Sequence, residues 1–184
     1  MADIILITGG TRSGKSDYAQ IRAEQLSGPH CFIATCKAVD QEMIERIKKH
    51  QLQRDNQKWT TLEEPLELVR LLRQNPFWGC YLVDCLTLWI SNLMHAYAQK
   101  GIDCTEDTIA VELEELVHEC TLVNGTIIFV TNEIGLGIVP ENKLARQFRD
   151  IVGYANRILA SHADEVILVS CGLPLPLKSK QSGK

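Results

Sequence analysis

Eight residues near the start of the chain, Gly9-Gly10-Thr11-Arg12-Ser13-Gly14-Lys15-Ser16, have the types and spacing to hold phosphate. They fit the pattern G-x-x-x-x-G-K-[ST]. Its glycines let successive backbone N–H groups turn inward around phosphate oxygens, its lysine reaches the β- and γ-phosphates, and its final hydroxyl, here Ser16, can ligate Mg²⁺. The segment from Ser16 to Leu26 reads as a helix, whose N-terminus turns a positive dipole end toward the same anion. The plain alternative is a glycine-rich strand-to-helix turn that binds nothing. Because every fixed position is filled and the apolar run Ile4-Ile5-Leu6-Ile7 lies just before the loop, a nucleoside triphosphate is the expected ligand.

Three further places carry groups able to do chemistry. Asp84 closes the apolar run Cys80-Tyr81-Leu82-Val83, where phosphate-loop enzymes place a carboxylate that orients Mg²⁺. It could equally cap the helix that follows. Asn132 and Glu133 follow the β-branched run 126–131, and polar groups at the end of a parallel strand face the ligand crevice of an open α/β sheet. After them, Ile134 to Pro140 forms an apolar loop with two glycines. It reads as a pocket-lining loop, against the plainer reading of a turn whose glycines only supply positive φ. His50 lies among Arg46, Lys48, Lys49 and Arg54. Cations around it favour the neutral, nucleophilic imidazole, which can attack a phosphoryl group. A histidine near a helix C-terminus is also explained by the dipole alone, so the residues by themselves leave its role open. The remaining histidines have no metal-ligand spacing.

The elements that must position these groups alternate. Strands are expected at 3–8, 31–34, 80–84, 126–131 and 165–169, with an extended piece at 59–61. Helices are expected at 16–26, 40–54, 64–72, 86–99 and 105–123 and from Pro140 to about residue 160, the last with Leu144, Phe148, Ile151, Ala155, Ile158 and Leu159 facing inward. A Gly/Pro segment and a basic tail end the chain. Near-continuous apolar strands between helices imply a mostly parallel sheet covered on both faces, a three-layer α/β fold. One domain over 1–178 is expected, with 179–184 a disordered tail.

Composition narrows the partners. Hydrophobic residues make up 45% of the 184 and charged residues 23%, with a net charge of −4, the balance of an ordinary soluble globule rather than of a nucleic-acid binder. No apolar stretch approaches the ~20 residues of a membrane span, and the first residues already read as a core strand rather than a signal peptide. Seven cysteines, Cys31, Cys36, Cys80, Cys85, Cys104, Cys120 and Cys171, make an odd count without a C-x-x-C pair. They suggest a reducing cytoplasm, no disulfide framework and no zinc site.

GGTRSGKS at 9–16, ATC at 34–36, RIKKHQLQR at 46–54, WTTLEEP at 59–65, LVDCLTLWISNL at 82–93, the run 131–160 opening TNEIGLGIVPENK, and ADEVILVSCGLPLPLK at 163–178 together resemble one family. It is that of the bifunctional adenosylcobinamide kinase/adenosylcobinamide-phosphate guanylyltransferases of cobalamin biosynthesis. The resemblance runs in register along essentially the whole chain. It implies a RecA-like P-loop NTPase core, and phosphorylation of adenosylcobinamide by ATP or GTP. It also implies transfer of GMP from GTP to adenosylcobinamide phosphate through a GMP–histidine intermediate.

By the same resemblance, His50 and Lys15 are the catalytic residues. Nucleotide contacts fall on Gly9, Gly10, Thr11, Arg12, Ser13, Gly14, Lys15, Ser16, Ala34, Thr35, Cys36, Gln51, Leu52, Gln53, Arg54, Glu63 and Asp84. Ser16 and Asp84 would hold Mg²⁺, directly or through water. Cys36 departs from the small hydroxyl or alanine expected there, which a backbone contact would survive. A homotrimer is implied, and the apolar surface of the helix 86–94 and the loop 134–140 would be natural places for subunits to meet. A plain small-molecule kinase would use the same phosphate loop but have no use for His50, and a nucleotide-driven switch acting on a protein partner would show hydrolysis without a small-molecule product and would not require the apolar loop 134–140.

Overall fold

In β1 (Asp3–Gly9), Ile4 and Leu6 point to one face while Ile5 and Ile7 point to the other, and all four are buried. A strand buried on both faces must lie inside a covered sheet. The computed structural model, which describes residues 2–36 and 59–180, places it there. Among the described residues the sheet has seven strands in the order β3-β2-β4-β5-β1-β6-β7. The others are β2 (His30–Ala34), β3 (Trp59–Glu63), β4 (Cys80–Asp84), β5 (Thr126–Val130), β6 (Glu165–Ser170) and β7 (Leu173–Lys178). All pairings are parallel except that of β7 with β6.

One face packs against α2 (Leu68–Gln74), α3 (Leu86–Gln99), α4 (Glu106–Leu122) and α5 (Lys143–His162), through a core that includes Leu72, Trp89, Leu113, Phe129 and Val152. The opposite face packs Ile5, Ile7, Leu82, Ile128 and Val130 against Ala19 and Ala23 of α1 (Lys15–Glu24). Among the described residues, no helix is long and apolar enough to cross a membrane.

Several expected boundaries move, each for a local reason. The last long helix begins at Lys143 rather than Pro140, because Asn142 Oδ1 accepts the Ala145 N–H at 3.1 Å and caps it there. Leu144 thereby falls in the first turn and is 64% exposed, whereas Ile151, Ala155 and Leu159 are buried as expected. Glu64 delays α2 by accepting the N–H groups of Leu66 and Glu67 in a preceding turn. The apolar residues of α3, expected on the surface for subunits to share, are spent inside the chain, with Leu86, Trp89, Ile90, Leu93 and Met94 all buried.

The Gly/Pro segment is a strand. Pro174 and Pro176 sit two residues apart in β7, so their missing donors fall on one side. Leu173 and Leu175, paired with Ser170 and Leu168, are left to serve the ladder with β6. The outer edge of the sheet is thus poor in donors, which discourages further strands from adding. The expected helix 40–54, with His50, Gln51, Leu52, Gln53 and Arg54, lies outside the described residues.

Candidate active site

The phosphate-loop residues leave β1 at the carboxyl edge of the sheet. Gly9 is buried where a side chain cannot go, since an added Cβ would lie 2.4 Å from the Val169 carbonyl oxygen and 2.6 Å from Ser13 Oγ. Arg12 (φ 58°) and Gly14 (φ 89°) are left-handed, as a concave turn of inward N–H groups requires. The Ser13 N–H donates to the Gly10 carbonyl at 3.2 Å, closing the loop on itself. Gly14 occupies the cap position of α1 without a side-chain cap, so the donors of the first turn remain open to an anion.

Lys15 is only 9% exposed, and its Nζ donates to the Gly10 carbonyl at 3.1 Å, which draws the ammonium across the loop. Ser13 Oγ is buried without a hydrogen-bond partner among the described residues. A buried orphan hydroxyl, uncapped helix donors and a folded-back lysine together fit a polyphosphate.

A second turn braces this loop. Cys171 (φ 53°) and Gly172 (φ 79°) form the two-residue connection between β6 and β7, the left-handed pair that a tight hairpin needs. The Gly172 N–H donates to the Ser13 carbonyl at 2.8 Å, and a Cβ on Gly14 would sit 3.2 Å from Gly172 Cα. The sequence contained the signal for this turn in the pair Cys171-Gly172, but nothing in it joined the turn to Ser13.

The other candidates line up along the same edge. Ala34 of β2 is in register with Glu63 of β3 on one side and Asp84 of β4 on the other. Asp84 in turn faces Val130 of β5, the partner of Ile7 in β1. Thr35 is fully buried, where its hydroxyl donates to the Cys85 carbonyl at 2.7 Å and accepts the Cys85 N–H at 2.8 Å. It therefore locks the β2 exit to the β4 exit, and its side chain is committed to that role. The cap position of α3 falls on Cys85, one residue after Asp84. Burial pushes the Cys85 thiol up to about 11, with Asp84 adding to the rise and Lys15 opposing it. Both charged groups are thus felt at this one cysteine.

The exit of β5 carries a polar network that the sequence showed only in part. Glu133 Oε1 accepts the Thr8 hydroxyl at 2.6 Å and the Asn156 amide at 3.3 Å, while the Glu133 N–H donates to the Gly9 carbonyl at 3.1 Å. Asn156 also accepts the Thr131 hydroxyl at 2.7 Å and donates to the Asn132 carbonyl at 3.0 Å. The Thr87 hydroxyl accepts the Asn132 N–H at 2.9 Å. Thr8, Thr87 and Asn156 gave no motif. Only the fold brings them to Asn132 and Glu133. Beyond them, after a short 3₁₀ turn (Ile134–Leu136), Leu136 is 82% and Ile138 95% exposed. The apolar loop therefore lies open on the surface of the chain.

A parallel sheet with a strand–phosphate-loop–helix unit at its carboxyl edge defines a P-loop nucleotide-binding protein. The fold is shared with an ATPase of the type III secretion system of pathogenic bacteria, at a TM-score of 0.57 and 12% identity. That match covers 95% of this chain and 56% of the ATPase. Residues 5–177 match the family described as cobinamide kinase / cobinamide phosphate guanyltransferase. The chain is 40% identical over 98% of its length to the bifunctional adenosylcobalamin biosynthesis protein CobP of Pseudomonas aeruginosa. It is 37% identical over 95% of its length to the bifunctional adenosylcobalamin biosynthesis protein CobU of Escherichia coli. Each match covers 99% of the relative. The chain belongs to the cobinamide kinase / cobinamide phosphate guanyltransferase family.

Proposed function

We propose that this chain phosphorylates the hydroxyl of adenosylcobinamide with ATP or GTP, then transfers GMP from GTP to adenosylcobinamide phosphate, giving adenosylcobinamide-GDP. The observation that carries the reading is the near full-length match to proteins named bifunctional, joined to a phosphate loop whose lysine is folded into the anion site. One triphosphate held by Gly9–Ser16 presents two electrophiles. The substrate hydroxyl approaches the γ-phosphorus in the first reaction, and the His50 imidazole approaches the α-phosphorus in the second. Lys15 and the open donors of α1 neutralise charge that grows on the phosphate oxygens as either bond breaks.

Mg²⁺ fits as a companion of the nucleotide. Among the described residues no group of three His, Cys, Asp or Glu could hold a metal, so the ion would draw ligands from phosphate oxygens, with Ser16 and Asp84 beside it. When bound it would supply charge neutralisation between phosphates. Ala34, Thr35, Cys36, Gln51–Arg54 and Glu63 would complete the nucleotide site, residues 1–178 form one catalytic domain, and the active assembly is a cytoplasmic homotrimer.

The test is incubation with Mg²⁺, adenosylcobinamide phosphate and α-³²P-GTP. The expected results are a GDP-linked corrinoid and a protein-bound label that γ-³²P-GTP does not deliver. A phosphoramidate is acid-labile and base-stable, so brief acid should strip that label. His50→Ala should lose both label and guanylyl transfer while retaining kinase turnover. Guanylyl transfer surviving in His50→Ala would move the nucleophile elsewhere.

A further inference from the structure

We propose that Glu133 is the general base of the phosphoryl-transfer half of the reaction, taking the proton of the substrate hydroxyl as that hydroxyl attacks the γ-phosphate. The proposal rests on the bifunctional reading above. The carboxylate stands directly beside the phosphate loop, because its own N–H is bonded to the carbonyl of Gly9, the first loop residue. It is fixed there on one side only. Oε1 accepts from both Thr8 and Asn156, whereas Oε2 has no hydrogen bond among the described residues, and the residue is half-buried rather than sealed.

Asn156 is 8% exposed and anchored through the buried Thr131, so the donor that orients the carboxylate is itself held in place. A carboxylate kept only to staple β1 to α5 would gain from using both oxygens. One oriented by one oxygen, with the other open at the ligand edge of the sheet, is arranged to accept a proton.

In the step, the substrate oxygen forms a bond to the γ-phosphorus while the bond from that phosphorus to the β,γ-bridging oxygen breaks. The nucleoside diphosphate leaves with the electron pair, and the hydroxyl proton passes to Glu133 Oε2 and then to solvent. The second half-reaction makes no such demand, because a neutral imidazole attacks without a proton to lose from its nucleophilic nitrogen.

Glu133→Gln is a close test. Its amide oxygen can still accept from Thr8 and Asn156, so only the open oxygen is replaced. The enzyme is assayed for kinase turnover with ATP, Mg²⁺ and adenosylcobinamide, for protein labelling by α-³²P-GTP, and for thermal midpoint. Kinase kcat should fall about 10²–10⁴-fold, at least tenfold more than the labelling rate, with the midpoint unchanged.

Kinase turnover within tenfold of the parent would overturn the proposal. So would equal losses of kinase and labelling, or a lowered midpoint with lost GTP binding, since each would make Glu133 a structural brace. A parent protein without kinase turnover would instead remove the functional reading and this proposal with it.

Discussion

Two neighbouring parallel strands, β1 and β5, release their chains at the same edge of the sheet, and the two exits are built in opposite ways. The β1 exit turns back on itself, buries its lysine and leans on the β6–β7 turn through Gly172. The β5 exit is held in its first residues by Thr8, Thr87, Asn156 and Gly9 and further on by Arg149 at the Gly135 carbonyl and Arg146 at the Pro140 carbonyl, yet it leaves Leu136 and Ile138 exposed to solvent. The first can hold a fixed array of donors, as a polyphosphate common to two reactions requires. The second offers one oriented carboxylate and an exposed apolar surface, which suits a bulky acceptor.

The largest expected effect is at Lys15. Lys15→Ala should reduce both kinase turnover and guanylyl transfer by about 10²–10³-fold, because one preorganised cation is lost from a site that serves both transition states. Steady-state assays of the two reactions check this. Loss of only one would mean that the reactions do not share the β1 exit, and the contrast between the exits would then be one of separate sites.

A matched pair of glycine substitutions probes the same contrast through sterics. Gly9→Ala places a Cβ 2.4 Å from a backbone carbonyl that cannot move without breaking the β1–β6 ladder. It should cost more than about 3 kcal/mol of stability, by the overpacking mechanism. In Gly135→Ala the new Cβ meets nothing within 4 Å, and φ there is not left-handed. That change should stay within about 0.5 kcal/mol. Denaturant melts of the two variants measure the difference. Equal losses would show that the β5 exit is packed as tightly as the β1 exit.

The two exits also differ in how far they could be read from residues alone. The phosphate loop was legible because its function is local, with eight consecutive residues carrying donors, cation and hydroxyl. Asp84 was legible as a strand end, but the cap position was not, since whether Asp84 or Cys85 occupies it depends on one residue of register. The β5 network was half legible. Asn132 and Glu133 announced themselves as polar groups after an apolar strand, but Thr8 lies 125 residues from Glu133 and Asn156 lies 23 away on a helix. No periodicity connects them.

The strand β7 was hidden because two prolines read as breakers when their spacing in fact suits an edge. The apolar face of α3 was misplaced for a similar reason. Hydrophobic residues show that something covers a helix, and only the fold shows that the cover is α5 and the sheet rather than another subunit.

The smallest effect on the chain itself, and the one most informative about its surroundings, is expected at Ile138. It is 95% exposed, so Ile138→Ser should leave the stability of the isolated subunit within about 0.5 kcal/mol. In a homotrimer that buried the 134–140 loop between copies, the same change would remove a contact from each interface and shift the mass in light scattering from three chains toward one chain of 20.7 kDa. If the loop instead lies against the corrinoid, the mass will stay constant while KM for adenosylcobinamide rises and KM for the nucleotide does not. A variant unchanged in mass and in both constants would show that this surface is covered by neither, and the β5 exit would then reduce to its first, tethered residues, with Glu133 as its only working part.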